Sequence, residues 1–512
     1  MTSPAPAGLA TRSITAFLWG GGGAFLRLFM QTSVQIVLAR LLGPAQYGLF
    51  AMSVVVMTFS AFFSDIGLAY GLIQRKHVDS TDIRFVFTLQ ILLGLTITIA
   101  LTALSGPLAG FFREPRLQAI ILALSPLALL QAVSAVSLNL LKRELDFKTL
   151  QIAQTVAYFF AYVCLGIPLA LAGAGVWTLV VAWAAQSLLS LLLMYRVVRH
   201  PLAPLLRHPE AFSMGHFGST VLLTNLTNWI IGNIDRTVVA RTLDSTSVGL
   251  YANAYNLVNA PSGSILGVMQ PVLYSACARV QDDPQRIRNA YLTLMAGITL
   301  AIMPVFFAMS AVASTLVLAL YGQRWAPAAA VLQPIALAMP MALLWGITTP
   351  VLWNTGRSTL EFKMQLPLAG LWLLGALWAA QHSLATMAWT VLGLFCLRTL
   401  LFTVLATRQI DVSLGECARA LRGGVVLSLL TALLAWAADR VLVASALGMQ
   451  ARLAIIIITC VFGVMLALRS VPGLLSSHLS GLLAKAIRRL PHRSKRFVAY
   501  LLAPQLQHVH GA

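Results

Sequence analysis

Charge is the first thing this chain is short of. Only 10% of its 512 residues are Asp, Glu, Lys or Arg, and only 15 of those are acidic. A soluble domain carries about 25% charged residues, so a water-facing globule is excluded. Cysteine is scarce as well. The five residues are scattered, with Cys164, Cys396 and Cys460 inside apolar runs, and they form neither a disulfide framework nor a metal-ligand spacing. No Gly-rich phosphate loop and no aromatic RNA-binding stripe occurs. The net charge of +20 is therefore read as the Lys/Arg excess of inner-face loops, with no nucleic-acid partner implied. Long polar segments are missing too: no stretch between apolar runs reaches the roughly 50 residues that an independent domain needs.

What fills the chain is apolar sequence. Hydrophobic residues make up 59%, and the mean hydropathy is +0.83. Apolar runs long enough to cross a bilayer lie at about 14–42, 47–73, 83–111, 117–141, 149–171, 174–195, 213–242, 248–277, 289–320, 327–353, 364–381, 385–407, 423–441 and 453–471. The expected fold is an all-α integral membrane protein of about 14 transmembrane helices. The N-terminus passes straight into the first run without a short apolar core and cleavage site, so it reads as a membrane helix and not a signal peptide. Gly43-Pro44, Gly173–Gly175 and Tyr321-Gly322 sit where spans should end. Prolines within runs, at 126, 168, 261, 271, 304, 340 and 367, predict kinks.

Two copies of one stretch organise the chain. Residues 37–51 read VLARLLGPAQYGLFA and residues 238–252 read VVARTLDSTSVGLYA. At a constant offset they match at Val37/Val238, Ala39/Ala240, Arg40/Arg241, Leu42/Leu243, Gly48/Gly249, Leu49/Leu250 and Ala51/Ala252. An internal repeat in a membrane chain implies two homologous halves with a ligand site between them near the midplane. With the N-terminus inside, twenty-five of the 35 Lys and Arg residues fall on the inner side, seven on the outer side, and Arg27, Arg236 and Arg398 within the membrane. That bias sets both termini in the cytoplasm and gives both copies the same orientation. The expected organisation is a six-helix lobe over 1–210, a second over 211–410, two appended helices over 411–472, and a basic amphipathic tail over 473–512. Leu474, Leu475 and Leu479 would lie on the lipid side of that tail.

Polar groups inside spans are costly and therefore informative. Arg27, Gln31 and Gln35 recur at four-residue spacing on one helix face, with Arg27 about 20 Å above the inner end and the bare strip Gly20–Gly23 before it. The arginine is either an anion-binding cation in a central cavity or structural glue for a carboxylate. In the seventh span Asn225, Gly232 and Arg236 share a line, with Asn228 and Asp235 to the side, and Asp235 and Arg236 could neutralise each other. The eighth span adds Asn253, Asn256 and Asn259, amides suited to hydroxyl-rich ligands or to holding helices together. Asp65 is either an ion-coupling site or the partner of a basic residue. Arg398 is read as structural. The substrate-binding candidates are Arg27, Gln31, Gln35, Asn225, Asn228, Arg236, Asn253 and Asn256. Asp65 and Asp235 are the candidates for H+ or Na+ coupling. No catalytic or metal-binding residue is expected, and no other cofactor.

The run Ala39-Arg40-Leu41-Leu42-Gly43-Pro44-Ala45-Gln46-Tyr47-Gly48, followed by Phe63-Ser64-Asp65-Ile66-Gly67-Leu68 and Leu72-Ile73-Gln74-Arg75, resembles the Wzx-type polysaccharide-biosynthesis flippases. These belong to the multidrug/oligosaccharidyl-lipid/polysaccharide exporter superfamily. The resemblance implies two lobes that open alternately to the two faces of the bacterial inner membrane. It also implies a cationic cavity that takes the pyrophosphate and glycan of an undecaprenyl-linked oligosaccharide, Arg27 being the matching arginine. The glycan would serve lipopolysaccharide, capsule or exopolysaccharide, with polymerase and export machinery as further partners alongside membrane lipids. The alternative within the superfamily is a cation-coupled multidrug extruder, which favours a more acidic, aromatic cavity. A membrane glycosyltransferase is disfavoured, because the outer loops are too short and bare to hold an acceptor. The expected function is transport without catalysis.

Overall fold

The computed structural model describes residues 9–64, 78–144, 146–208, 229–279, 284–354 and 358–471, with isolated positions beside them. Asp65, Asn225, Asn228 and nearly all of the basic tail lie outside the described residues. Among the described residues all regular structure is helical, and each expected span is helix over its described part, apart from short breaks. Ten helices there are long and apolar enough to cross a membrane. This is an all-α, multi-pass membrane protein. In hydrocarbon each backbone N–H and C=O must be satisfied within its own segment, which helices alone achieve without a closed barrel. Phe25 at 72% and Ile458 at 67% exposure are what a lipid-facing surface requires.

The chain divides into two compact units, Met1–Ala252 and Asn253–Ala512. In the first, α1 (Leu9–Ser64) holds the first expected span and the described part of the second, parted at Gly43. There φ is 76° and ψ 172°, a conformation closed to most L-residues, and Pro44 restarts the helix. α2 (Ser80–Phe111) begins on a capping box in which Asp79 and Asp82 exchange bonds with each other's backbone N–H. α3 (Arg116–Leu124) and α4 (Pro126–Arg143) form one span broken at Ser125. α5 (Phe147–Tyr158) widens into a π-helical stretch, Phe159–Gly166, before α6 (Ile167–Leu171). Pro168 lacks the N–H that would continue the regular ladder. After the positive-φ glycines 173 and 175 comes α7 (Trp177–Val197), and later α8 (229–242) and the start of α9 (Ser245–Arg279). α2 packs on α4, α4 on α7 and α1 on α5. One core joins Val34 and Leu38 of α1 to Tyr158 and Leu179, and another joins Phe85–Phe87 to Val136 and Leu140.

The second unit contains the rest of α9 and the broken run α10 (Pro284–Ala301), α11 (Met303–Ala311) and α12 (Ala313–Tyr321). After them follow α13 (Ala329–Asn354), α14 (Ser358–Ala380), α15 (Leu384–Gln409), α16 (Leu414–Val443) and α17 (Met449–Ser470). α13 packs on α15, and α10 and α11 pack on α16. The last two helices are tied in by an ion pair: Arg452 meets Asp439 at 2.9 Å, and Thr315 donates to the same carboxylate at 2.6 Å. The tail departs from expectation at its start. Leu474 and Leu475 are buried within this unit and do not face lipid. Gln505 accepts from their backbone N–H groups at 3.1 and 3.4 Å and donates to Leu468 O at 2.9 Å. An amide thus supplies the hydrogen bonds that the end of α17 leaves open.

Candidate functional site

The polar face of α1 is present in the first unit. Arg27, Gln31 and Gln35 are all half-buried. The Arg27 guanidinium donates to Gln154 Oε1 on α5. One turn earlier, a Cβ at Gly23 would lie 2.8 Å from Gln151 Cβ, so the bare glycine lets α5 approach. Gln151 Oε1 is buried without a hydrogen-bond partner. Among the described residues the arginine's partner is thus a neutral amide, which orients the guanidinium without cancelling its charge. A carboxylate would have quenched it. Gln151 and Gln154 escaped the sequence reading, although their three-residue spacing in an apolar span was a usable signal.

The residues around Gly43 hold this region in shape. Across the kink, the Tyr47 hydroxyl donates to Gln35 O at 3.3 Å. Gln46 Oε1 accepts from Val176 N at 3.0 Å, securing the turn into α7. The two repeat copies then meet. A Cβ at Gly48 would fall 1.6 Å from Ser245 O, and one at Gly249 would fall 2.0 Å from Pro44 O. Matching glycines of the two copies thus mark a backbone-to-backbone crossing that no side chain can enter.

On α8 the adjacent charges have separate partners. Asp235, 3% exposed, accepts from the Tyr251 hydroxyl at 2.5 Å. Arg236, half-buried, donates to Asn233 Oδ1 at 3.3 Å. Gly232 is exposed, with nothing within 4 Å of where its Cβ would be. In the second unit Asn253 is buried beside the Tyr321 hydroxyl, whereas Asn256 is exposed and Asn259 half-buried. The three amides thus differ in exposure along α9.

The second unit also holds a buried polar cluster that includes one overlooked acid. Glu361, buried at 5% exposure, accepts from Trp353 Nε1 at 2.6 Å, Gln365 Nε2 at 3.0 Å and Thr349 Oγ1 at 3.3 Å. Arg398, equally buried, lies 3.6 Å over the Trp345 ring, a cation–π contact. Glu361 precedes its apolar run by a few residues, so hydropathy alone assigns it to the interface.

Residues 37–330 match the family model described as "Polysaccharide biosynthesis protein", which covers more than half of the chain. The chain belongs to the polysaccharide biosynthesis protein family. This family member is 24% identical over 362 residues to the succinoglycan biosynthesis transport protein ExoT of Rhizobium meliloti (strain 1021), covering 71% of this chain and 72% of that one. It is 25% identical over 377 residues to the lipopolysaccharide biosynthesis protein WzxC of Escherichia coli (strain K12), covering 70% and 73%. It is 25% identical over 338 residues to the teichuronic acid biosynthesis protein TuaB of Bacillus subtilis (strain 168), covering 65% and 69%. Among solved structures, the lipid II flippase MurJ in an inward closed conformation is similar at a TM-score of 0.69. That match has 11% identity and covers 93% of this chain and all of that one. An inward-facing multidrug resistance MATE family transporter is similar at 0.60, with 14% identity, covering 76% and 98%. At these identities the structural likenesses establish the fold of the polysaccharide biosynthesis protein and nothing finer.

Proposed function

We propose that this polysaccharide biosynthesis protein is a flippase. It moves undecaprenyl-pyrophosphate-linked oligosaccharide units from the inner to the outer leaflet of the bacterial cytoplasmic membrane by alternating access of its two homologous halves. The observation that carries the reading is Arg27, a membrane-embedded guanidinium held by the Gln154 amide on a face shared with Gln31 and Gln35. A pyrophosphate crossing hydrocarbon needs fixed positive charge on the way, and guanidinium offers paired donors to phosphate oxygens. A glycan needs amides, and this face supplies them. The relatives' names support the same class. They span succinoglycan, lipopolysaccharide and teichuronic acid at nearly equal identity, so their common element is polysaccharide supply and not one glycan.

In this reading both termini are cytoplasmic, as the Lys/Arg asymmetry requires, and the delivered units pass to a polymerase outside. No bond is made or broken by the protein itself. Asp235 is the described acid we assign to coupling with an H+ or Na+ gradient. It is buried, ionisable and carries a hydroxyl donor that an ion or proton could replace. The multidrug extruder alternative draws on fold likeness alone.

Depletion tests the proposal. Prenyl-linked oligosaccharide of one defined composition should accumulate on the inner leaflet, as read by mass spectrometry and leaflet-selective labelling. Complementation with Asp235→Asn should restore flipping without its dependence on the ion gradient. Unchanged lipid-linked sugar pools together with loss of drug efflux would replace the flippase by the extruder.

A further inference from the structure

The arginine shared by the two repeat copies, Arg40 and Arg241, has no part in the flippase reading, and in the second copy its surroundings define a site. α1, α2 and α8 enclose an apolar groove of about 430 Å³ within the first unit. Phe59 and Phe63 of α1, Leu104 and Phe111 of α2, and Trp229 and Thr237 of α8 are among its walls. The groove is open along one side, where Phe59, Leu104 and Phe111 are 40%, 51% and 47% exposed. One turn beyond Thr237, Arg241 lies 5.1 Å over the Phe111 ring. Its Nη1 is buried without a hydrogen-bond partner. Glu114, three residues past Phe111, is gripped through both oxygens by Arg116 at 2.8 and 2.9 Å, and Asp244, three residues past Arg241, caps its own helix start by accepting from Ser247 N at 3.3 Å. The equivalent arginine of the first copy, Arg40, is exposed.

We infer that this groove is a binding site for one acyl chain of an anionic phospholipid, whose phosphate binds the Arg241 guanidinium. Length identifies the occupant. From Trp229 to Arg241 the helix climbs about 18 Å at 1.5 Å per residue, close to the roughly 15 Å of hydrocarbon in one leaflet. A phospholipid chain spans that depth with its phosphate at the arginine end. A polyprenyl chain is far longer than a leaflet and would leave most of its carbons outside. Charge identifies the headgroup. A buried, unmatched N–H donor costs free energy until an acceptor arrives, and phosphate accepts from guanidinium at short range. A headgroup without its own ammonium leaves that phosphate uncontested. By the Lys/Arg asymmetry the leaflet concerned is the outer one. The occupant is a resident lipid, so the site stands apart from the proposed cargo.

Native mass spectrometry of the full-length protein, released from nanodiscs holding equal phosphatidylglycerol and phosphatidylcholine, reads the site directly. Wild type should retain phosphatidylglycerol over phosphatidylcholine by about tenfold, the ratio that corresponds to 1.4 kcal/mol. Arg241→Gln should bring the ratio close to one. Ala100→Trp, at an α2 residue in the groove wall, fills the groove, leaves the arginine in place and should expel both lipids. Arg440→Gln, an exposed arginine of the second unit, should keep the wild-type ratio. Each variant is scored only as monodisperse protein on size exclusion. Retention of the wild-type ratio by Arg241→Gln and by Ala100→Trp would overturn the assignment. Displacement of phosphatidylglycerol by equimolar polyprenyl phosphate would also overturn it and give the groove to the cargo's chain.

Discussion

Arg27 shows how a single residue can be kept half-buried among apolar helices and charged. A guanidinium among apolar helices costs several kcal/mol unless it finds acceptors or water. Gln154 supplies an acceptor without supplying a negative charge. In the proposed flippase, an anion reaching this face meets a cation whose described partner is neutral. Arg27→Ala should lower export per inserted molecule at least tenfold, the effect of losing roughly 1.4 kcal/mol of differential binding, at near-normal abundance. Arg27→Lys should retain part of the activity, because ammonium keeps the charge but not the paired donors. Gln154→Leu removes the orienting acceptor and should lower abundance more than Arg27→Ala does, since it strands a half-buried cation. Quantitative immunoblotting alongside glycan export separates these outcomes. Full export from well-inserted Arg27→Ala would take the residue out of the substrate path.

Among the elements, the crossing of the two repeat copies is the tightest constraint in the first unit. Helices usually approach to 8–10 Å between axes, and small residues permit less. At Gly48 even one methyl would strike a backbone carbonyl, which cannot rotate away. Gly48→Ala and Gly249→Ala should therefore force α1 and α9 apart and lower the melting temperature by several degrees, as about 1–3 kcal/mol of overpacking does. Gly267→Ala on the same α9, where nothing lies within 4 Å, should melt like wild type or slightly higher, because alanine is the better helix former. Equal melting of all three variants in a differential scanning measurement would mean that the crossing relaxes freely. Gly43 belongs to a different class. With φ 76° and ψ 172° there, any substitution costs about 1–3 kcal/mol of backbone strain whatever the space around it.

Across the whole molecule, a charge asymmetry in the loops is expected to set which way the helices run. Reporter fusions after Lys142, Arg207 and Arg286 should report cytoplasmic, and fusions after Gly43 and Ser245 external. An external signal at Arg286 would break the parallel relation of the two repeat copies, and with it the alternating-access scheme. The division into Met1–Ala252 and Asn253–Ala512 falls within α9, immediately after the second repeat copy. That copy packs on the first through the glycine crossing, and so belongs with the first unit. The C-terminal pair of helices is anchored within the second unit by Arg452 and Asp439, two charges whose separate positions in the chain carried no hint of pairing.

By itself the sequence determined whatever depends on neighbours along the chain. Apolar length decides that a segment spans a bilayer, and the glycines at 43, 173, 175 and 322, where spans were expected to end, do take a positive φ. A constant offset between two stretches decides that the chain repeats itself. The common face of Arg27, Gln31 and Gln35 was legible for the same reason, since helical periodicity is local. Which faces meet was not local, and only the tertiary structure decided it. The Gln154 amide reaches Arg27 from a helix more than a hundred residues away in sequence. Tyr251 claims Asp235, Glu361 is drawn inward by three donors, and Leu474 and Leu475 turn into the second unit and away from lipid. In a chain where almost every helix surface is apolar, hydropathy marks what enters the membrane but cannot rank one apolar face against another. Steric fit at glycines and a few directed hydrogen bonds make that choice.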